Sequence, residues 1–417
     1  MKTPLKRINW LRVISLAGLA LSILMGSPIT VTGQSDPPPE VFLPLIVLDP
    51  SPTLTLTFTP TFTVTPTLTP TPTRTPTPTR TPAAIVYMPL ITGRTVPLYA
   101  TSYYIQDESP AEMYELGCRL GTRDNALPGK QDSLVILSFG QMWIENGVYG
   151  VGKFSPYWEF VPLSAVNTAV REYINGYWVC SGNDFQSQLT LGVGVNSFGR
   201  MNTGTTDQET LRNTANEFGK RFADLVNDVN LWAVREGIAS QVYVAGANNI
   251  EWDSRRRWQS SYVVRGWVDG FHERDRGVHI FFNFGACVGC PTNFTPSTIN
   301  WSYPSGNWTL EDIWYVSWGA PSAYPVPLIY TNSGSLARQW YVMSKYAALY
   351  QGGRIDFVGP MTQYGACQVR GGSDSDCEFM DNTPEQGWTQ LYNELNKDPL
   401  TAQDILRWVT DITWQIR

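Results

Sequence analysis

The larger, carboxyl-terminal part of this 417-residue chain predicts a (β/α)8 barrel of the TIM type, carried behind a Thr-Pro stalk. Short apolar runs alternate with helical patterns from Ser133 to the end. Repeated strand–helix alternation implies parallel strands joined by right-handed crossovers. Eight candidate strands over about 280 residues match the count and span of such a barrel. A doubly wound open α/β sheet is the alternative that the same alternation allows.

The candidate strands are Ser133–Gly140, Leu189–Val195, Gln241–Ala247, Val278–Phe284, Ile313–Trp318, Leu328–Thr331, Ile355–Gly359 and Leu406–Ile412. Between the second and third, Leu211, Ala215, Phe218, Phe222, Val226, Val229 and Trp232 recur at helical steps, and Gly237 ends the helix. Asp253 or Ser254 is the expected cap of a helix carrying Tyr262, Trp267 and Phe271. Further helices are expected from Ser335 to Tyr350, stopped by Gly352-Gly353, and after Pro384. The fourth connection lacks a clear helix.

Ahead of this domain, residues 1–33 read as a secretory signal: Lys2, Lys6, Arg7 and Arg12 precede an apolar stretch from Val13 to Met25. Cleavage is expected before Gln34, leaving no membrane span; an uncleaved anchor is the alternative. Residues 34–96 form the stalk. From Thr53 to Thr81 every odd position is threonine, a pattern too polar and stiff to bury a core. Related apolar runs flank it, Val41-Phe42-Leu43-Pro44-Leu45-Ile46 and Val86-Tyr87-Met88-Pro89-Leu90-Ile91. The globular domain then covers 97–417. Export to the cell surface or the medium follows.

Composition narrows the chemistry. A net charge of −6 without a basic cluster argues against nucleic acid as a partner. Only His272 and His279 exist, so a His-rich zinc site cannot be built. His279 lies in an apolar run and reads as a hydrogen-bonded core residue. No phosphate loop or dinucleotide fingerprint is present, and neither metal nor cofactor is expected. Six cysteines suit an oxidising compartment, and proximity pairs Cys118 with Cys180, Cys287 with Cys290 and Cys367 with Cys377. The 16 Trp and 20 Tyr supply rings either for a core or for stacking on sugar faces.

Barrel active sites lie at the carboxyl ends of the strands. The residues expected there include Trp143 and Glu145, Asn249, Glu251 and Trp252, Trp318, Gln363 and Tyr364, and Asp411. Paired carboxyl groups beside amides and indoles suit glycoside hydrolysis, in which one protonates the leaving oxygen and the other supports attack at the anomeric carbon. Glu251 is the leading acid: it shares a face with Asn249, and Trp252 beside it would raise its pKa. An ion pair with Arg255 or Arg256 is its alternative use. Glu145 and Asp411 are the candidate partners, and Asn249, Trp143, Trp252, Trp318, Gln363 and Tyr364 the candidate sugar contacts. In the loop after the fourth strand, Trp301 and Trp308 stand among three Asn-x-Ser/Thr sequences.

The Asn249-Ile250-Glu251 strand end resembles the Asp-x-Glu strand ends of lysozyme- and chitinase-type glycoside hydrolases. The region from 97 onward looks like a group of secreted bacterial glycoside-hydrolase-like barrel proteins. The resemblance implies the acid role for Glu251, while Asn249 stands where that pattern has Asp. Three functions follow as expectations: an exported glycoside hydrolase acting on a polysaccharide, such as a cell-wall glycan, a non-catalytic carbohydrate-binding or adhesion module on a degenerate barrel, or a structural envelope protein in which the rings are core.

Overall fold

A computed structural model describes residues 95–415, apart from 155–158, 183, 185, 197–204, 252–259, 304–306 and 370–381. The signal, most of the stalk, Trp252 to Arg256 and Cys377 lie outside the described residues. The first strands are β1 (Ala100–Tyr104), β2 (Asp132–Glu145), β3 (Val148–Gly152), β4 (Phe160–Pro162), β5 (Gln188–Asn196) and β6 (Val242–Asn249). There follow β7 (Phe281–Asn283), β8 (Ser302–Tyr303), β9 (Trp308–Thr309), β10 (Ala323–Pro325), β11 (Met361–Thr362) and β12 (Thr410–Trp414).

Eight of these strands run parallel in the order β10-β7-β6-β5-β2-β1-β12-β11. The ring closes just after β10. Leu328 forms a parallel bridge to Met361, Ile329 N donates to Met361 O at 2.8 Å, and Met361 N donates to Pro327 O at 2.9 Å. Each barrel strand therefore lies beside its neighbours in sequence. A doubly wound sheet would reverse its order at a switch point, and this one does not. The architecture is a TIM-like barrel.

Strand pleat sorts the side chains. A Cβ added at Gly192 would meet Ile136 at 3.1 Å, Ala247 at 3.3 Å and Phe282 at 3.6 Å, so these positions face the barrel interior. A Cβ at Gly246 would instead meet Phe271 of the helix layer at 2.6 Å. By alternation Asn196, Asn249, Tyr104 and Trp414 face inward. Leu189, Leu191, Val193 and Val195 face the helices and join the main core.

Those helices are α1 (Pro110–Ala126), α2 (Leu163–Cys180), α3 (Gln208–Arg235), α4 (Ser261–Asp275), α5 (Leu310–Trp314), α6 (Ser335–Tyr350), α7 (Tyr364–Val369) and α8 (Pro384–Leu395). Asp207 caps α3 by accepting from Thr210 N at 2.8 Å, and Gly237 turns the chain away at φ +74°. Thr383 and Gln386 form a reciprocal capping box for α8, with Pro384 in its first turn. The expected α6 has its expected bounds. His279 is buried, with Nδ1 2.6 Å from Asp275 Oδ1, as a core residue. No helix among the described residues is long and apolar enough to cross a membrane.

Several expectations are corrected. Ile313–Trp318 is not a strand: Leu310–Trp314 is α-helical and Tyr315–Gly319 continues as a π-helical turn. A capping box of Thr309 and Asp312 starts this helix, which is the crossover that the fourth connection seemed to lack. The first barrel strand is Ala100–Tyr104, the sixth is Ala323–Pro325 with its extension to Leu328, and the seventh is Met361–Thr362 rather than Ile355–Gly359. The cap of α4 is Ser260, which accepts from Val263 N at 3.3 Å, not Asp253 or Ser254.

Two disulfides join the expected partners, Cys118 with Cys180 and Cys287 with Cys290. Cys367 is also disulfide-bonded.

Candidate active site at the carboxyl mouth

Three amides sit abreast at the carboxyl ends of adjacent strands. Gln141 pairs in register with Asn196, and Asn196 with Asn249. Neighbouring strands lie about 4.8 Å apart, so the three span a ledge about 10 Å wide. Gln141 and Asn249 are buried, and Asn196 is half-buried. Two residues beyond Asn249, where β6 ends, Glu251 is half-buried. Ala286 N donates to its Oε1 at 3.3 Å, which ties the carboxylate to the loop after β7. Burial, and then the charge of Glu251, push the Tyr330 phenol upward, which puts that ring within electrostatic reach of the carboxylate.

Three and four strands around the ring from β6, at β1 and β12, an aromatic group faces the same mouth. Tyr104 lies 4.7 Å from Trp414 and 5.2 Å from Phe154 between ring centroids, and Phe154 stands edge-on to Trp414 at 5.7 Å. Gln363 Nε2 donates to the Tyr104 hydroxyl at 2.7 Å and joins this group. Beside it, Lys153 bridges Glu108 at 2.7 Å and Glu159 at 3.0 Å.

The other expected residues are distributed differently. Asp411 alternates with the inward Thr410 and Ile412, so it points outward to the start of α7. Its Oδ1 accepts from Thr362 Oγ1 at 2.6 Å and Tyr364 N at 2.9 Å, and its Oδ2 from Gly365 N at 2.8 Å. The carboxylate thus caps a short helix and positions Gln363. Burial raises its pKa above the usual value, although these hydrogen bonds pull the other way. Tyr364 supplies a backbone donor at this cap.

Glu145 is exposed at the tip of the β2–β3 hairpin, paired with Val148 across Asn146-Gly147. Four residues separate it from Gln141, about 13 Å of strand at about 3.3 Å per residue. Trp143 lies on the same arm with its ring over Gly152, whose added Cβ would meet it at 3.1 Å. Trp318 ends the crossover helix that leads into β10. It packs edge-on to Tyr324 at 5.3 Å, toward the amino ends of the strands and away from the mouth. Of the two loop tryptophans, Trp308 is fully buried and belongs to the core. Trp301 is half-exposed over an open hollow of about 360 Å³ lined by Asn293, Ser297 and Thr298.

The structure therefore places Asn249 and Glu251 with Gln141, Asn196 and Tyr330, and Gln363 with Tyr104, Phe154 and Trp414, as two groups at the carboxyl mouth. It does not bring Glu145, Asp411 or Trp318 into either group. The added residues carry a strand-end signal once β1 is recognised, because Tyr104 and Trp414 then fall on neighbouring strands.

No family model and no curated protein matches the sequence. Among solved structures, the chain is similar to the endo-1,4-beta-mannanase from Rhizomucor miehei at 12% identity and a TM-score of 0.39. The match covers 79% of this chain and 88% of that one.

Proposed function

We propose that this is an exported, polysaccharide-acting protein of the glycoside-hydrolase kind, with Glu251 as its proton donor. One observation carries the reading: the amide ledge is followed, two residues past Asn249, by a half-buried carboxyl group, and three clustered rings stand across the ring of strands. Amides that both donate and accept suit sugar hydroxyls, and rings suit the apolar faces of pyranoses. In the reaction, Glu251 gives its proton to the glycosidic oxygen as the bond from the anomeric carbon to that oxygen breaks. Water then supplies the new oxygen at that carbon and gives its proton to the ionised Glu251, which restores the acid. Structural disulfides and a secretory signal sequence support action outside the cell.

A second reading is a glycan-binding module on the same barrel. It is favoured by the positions of Glu145, at the tip of the hairpin, and Asp411, at the cap of α7. The two readings separate on a panel of soluble and insoluble β-glucans, mannans, xylans, chitin and peptidoglycan. Binding with release of new reducing ends supports hydrolysis. Retention without any release makes the binding module the function. Neither on any glycan contradicts both.

A further inference from the structure

A hollow that the proposed function leaves unused lies at the opposite end of the barrel. It measures about 330 Å³ and is lined by Leu98, Trp388, Ile405 and Leu406, with Arg123 and Arg407 on its polar side. These residues stand at the amino ends of β1, β2 and β12. Two of the apolar ones are open to solvent: Leu98 is 54% exposed and Ile405 37%. Thr95 and Pro97 line the same hollow, so the chain enters the domain along its wall.

We propose that this hollow is the seat of the apolar run Val86-Tyr87-Met88-Pro89-Leu90-Ile91, which anchors the stalk to the base of the barrel. Chain length and position select that occupant. Ile91 precedes Thr95 by four residues, a reach of at most about 14 Å, and Thr95 is itself part of the wall. The run is also the only apolar stretch between the Thr-Pro repeat and the domain. Its composition fits no role as spacer, because Val, Met, Leu and Ile gain nothing in water that Thr and Pro do not. The volume lies at the low end for a ligand pocket and suits a few aliphatic side chains. Seated there, the run would cover Leu98 and Ile405.

Three Arg-Thr bonds provide an internal control: Arg74-Thr75 and Arg80-Thr81 in the repeat, and Arg94-Thr95 beside the hollow. Trypsin acts on segments that open locally, so its rate at each bond reports how that segment is held. In the full exported chain, cleavage after Arg94 should be about ten-fold slower than after Arg74 or Arg80. Leu90→Asp combined with Ile91→Asp should raise it to the rate of the repeat, and Ile405→Asp should do the same. The thermal midpoint of the barrel, followed by tryptophan fluorescence, should change little in either variant. Equal cleavage at all three bonds in the wild type would overturn the proposal. So would slow cleavage after Arg94 that persists in the Asp variants, since attachment of Thr95 to the barrel would then account for it.

Discussion

Asp411 illustrates how a carboxylate at a strand end can serve structure. Three donors converge on it, from Thr362, Tyr364 and Gly365. Removing the acceptor leaves these groups buried and unsatisfied, at about 1–3 kcal/mol each. Asp411→Ala should therefore lower unfolding stability by about 3 kcal/mol or more, read from a denaturant midpoint. The pH dependence has a definite sign. Burial raises the folded pKa above 3.8, so the folded state holds the proton more tightly than the unfolded chain. The stability linked to that proton is complete below 3.8 and is lost as pH climbs through the folded value. The stability of the wild type relative to Asp411→Asn should fall across that window and level off above it. A relative stability that rises with pH there would contradict the account.

α1 and α2 meet at backbone contact. A Cβ at Gly117 would lie 1.9 Å from Tyr173 O, and one at Gly176 would lie 2.0 Å from Tyr114 O. Gly117→Ala should thus push the helices apart and cost about 1–3 kcal/mol, despite the better helix propensity of alanine. The Cys118–Cys180 bridge locks the same pair over a separation of 62 residues. Replacing both cysteines by alanine should cost roughly 4 kcal/mol by loop closure, whereas removing Cys287–Cys290, separated by 3 residues, should cost far less. Equal losses would show that loop length is not what matters. These elements also mark where the sequence is hard to read. Ile313-Trp314-Tyr315-Val316-Ser317-Trp318 is rich in residues that favour strands, yet the Thr309–Asp312 capping box sets a helix. Ala100-Thr101-Ser102-Tyr103-Tyr104 escapes notice because its inward Ser102 bonds to Thr410 instead of adding an apolar residue to a pattern. The hairpin after Gln141 did carry a signal, Asn146-Gly147, both with positive φ.

For the whole molecule, barrel closure was legible and its register was not. Eight barrel strands were expected and eight are present among the described residues, but one expected strand is a crossover helix and the first real one was not anticipated. The long amphipathic helices made the alternation readable, since a 3.6-residue period over many turns leaves little ambiguity. Short strands such as Met361–Thr362 are defined by their neighbours' hydrogen bonds and leave almost no local trace. The site inherits this division. Glu251 and Asn249 follow a strong strand and are legible as residues of its carboxyl end, whereas Tyr104 depends on a strand the pattern hides. The proposed export belongs to the same level of organisation: the mature amino terminus should be Gln34, and Edman or mass-spectrometric sequencing that begins at Met1 would indicate an uncleaved anchor.

The most direct measurement compares wild type with Glu251→Gln on whichever glycan the panel identifies. Loss of a general acid costs about 10²–10⁴-fold in rate. The Gln variant should lose turnover by that factor while its glycan affinity and thermal midpoint stay close to those of the wild type. A Gln variant that cleaves as fast as the wild type would contradict Glu251 as the proton donor.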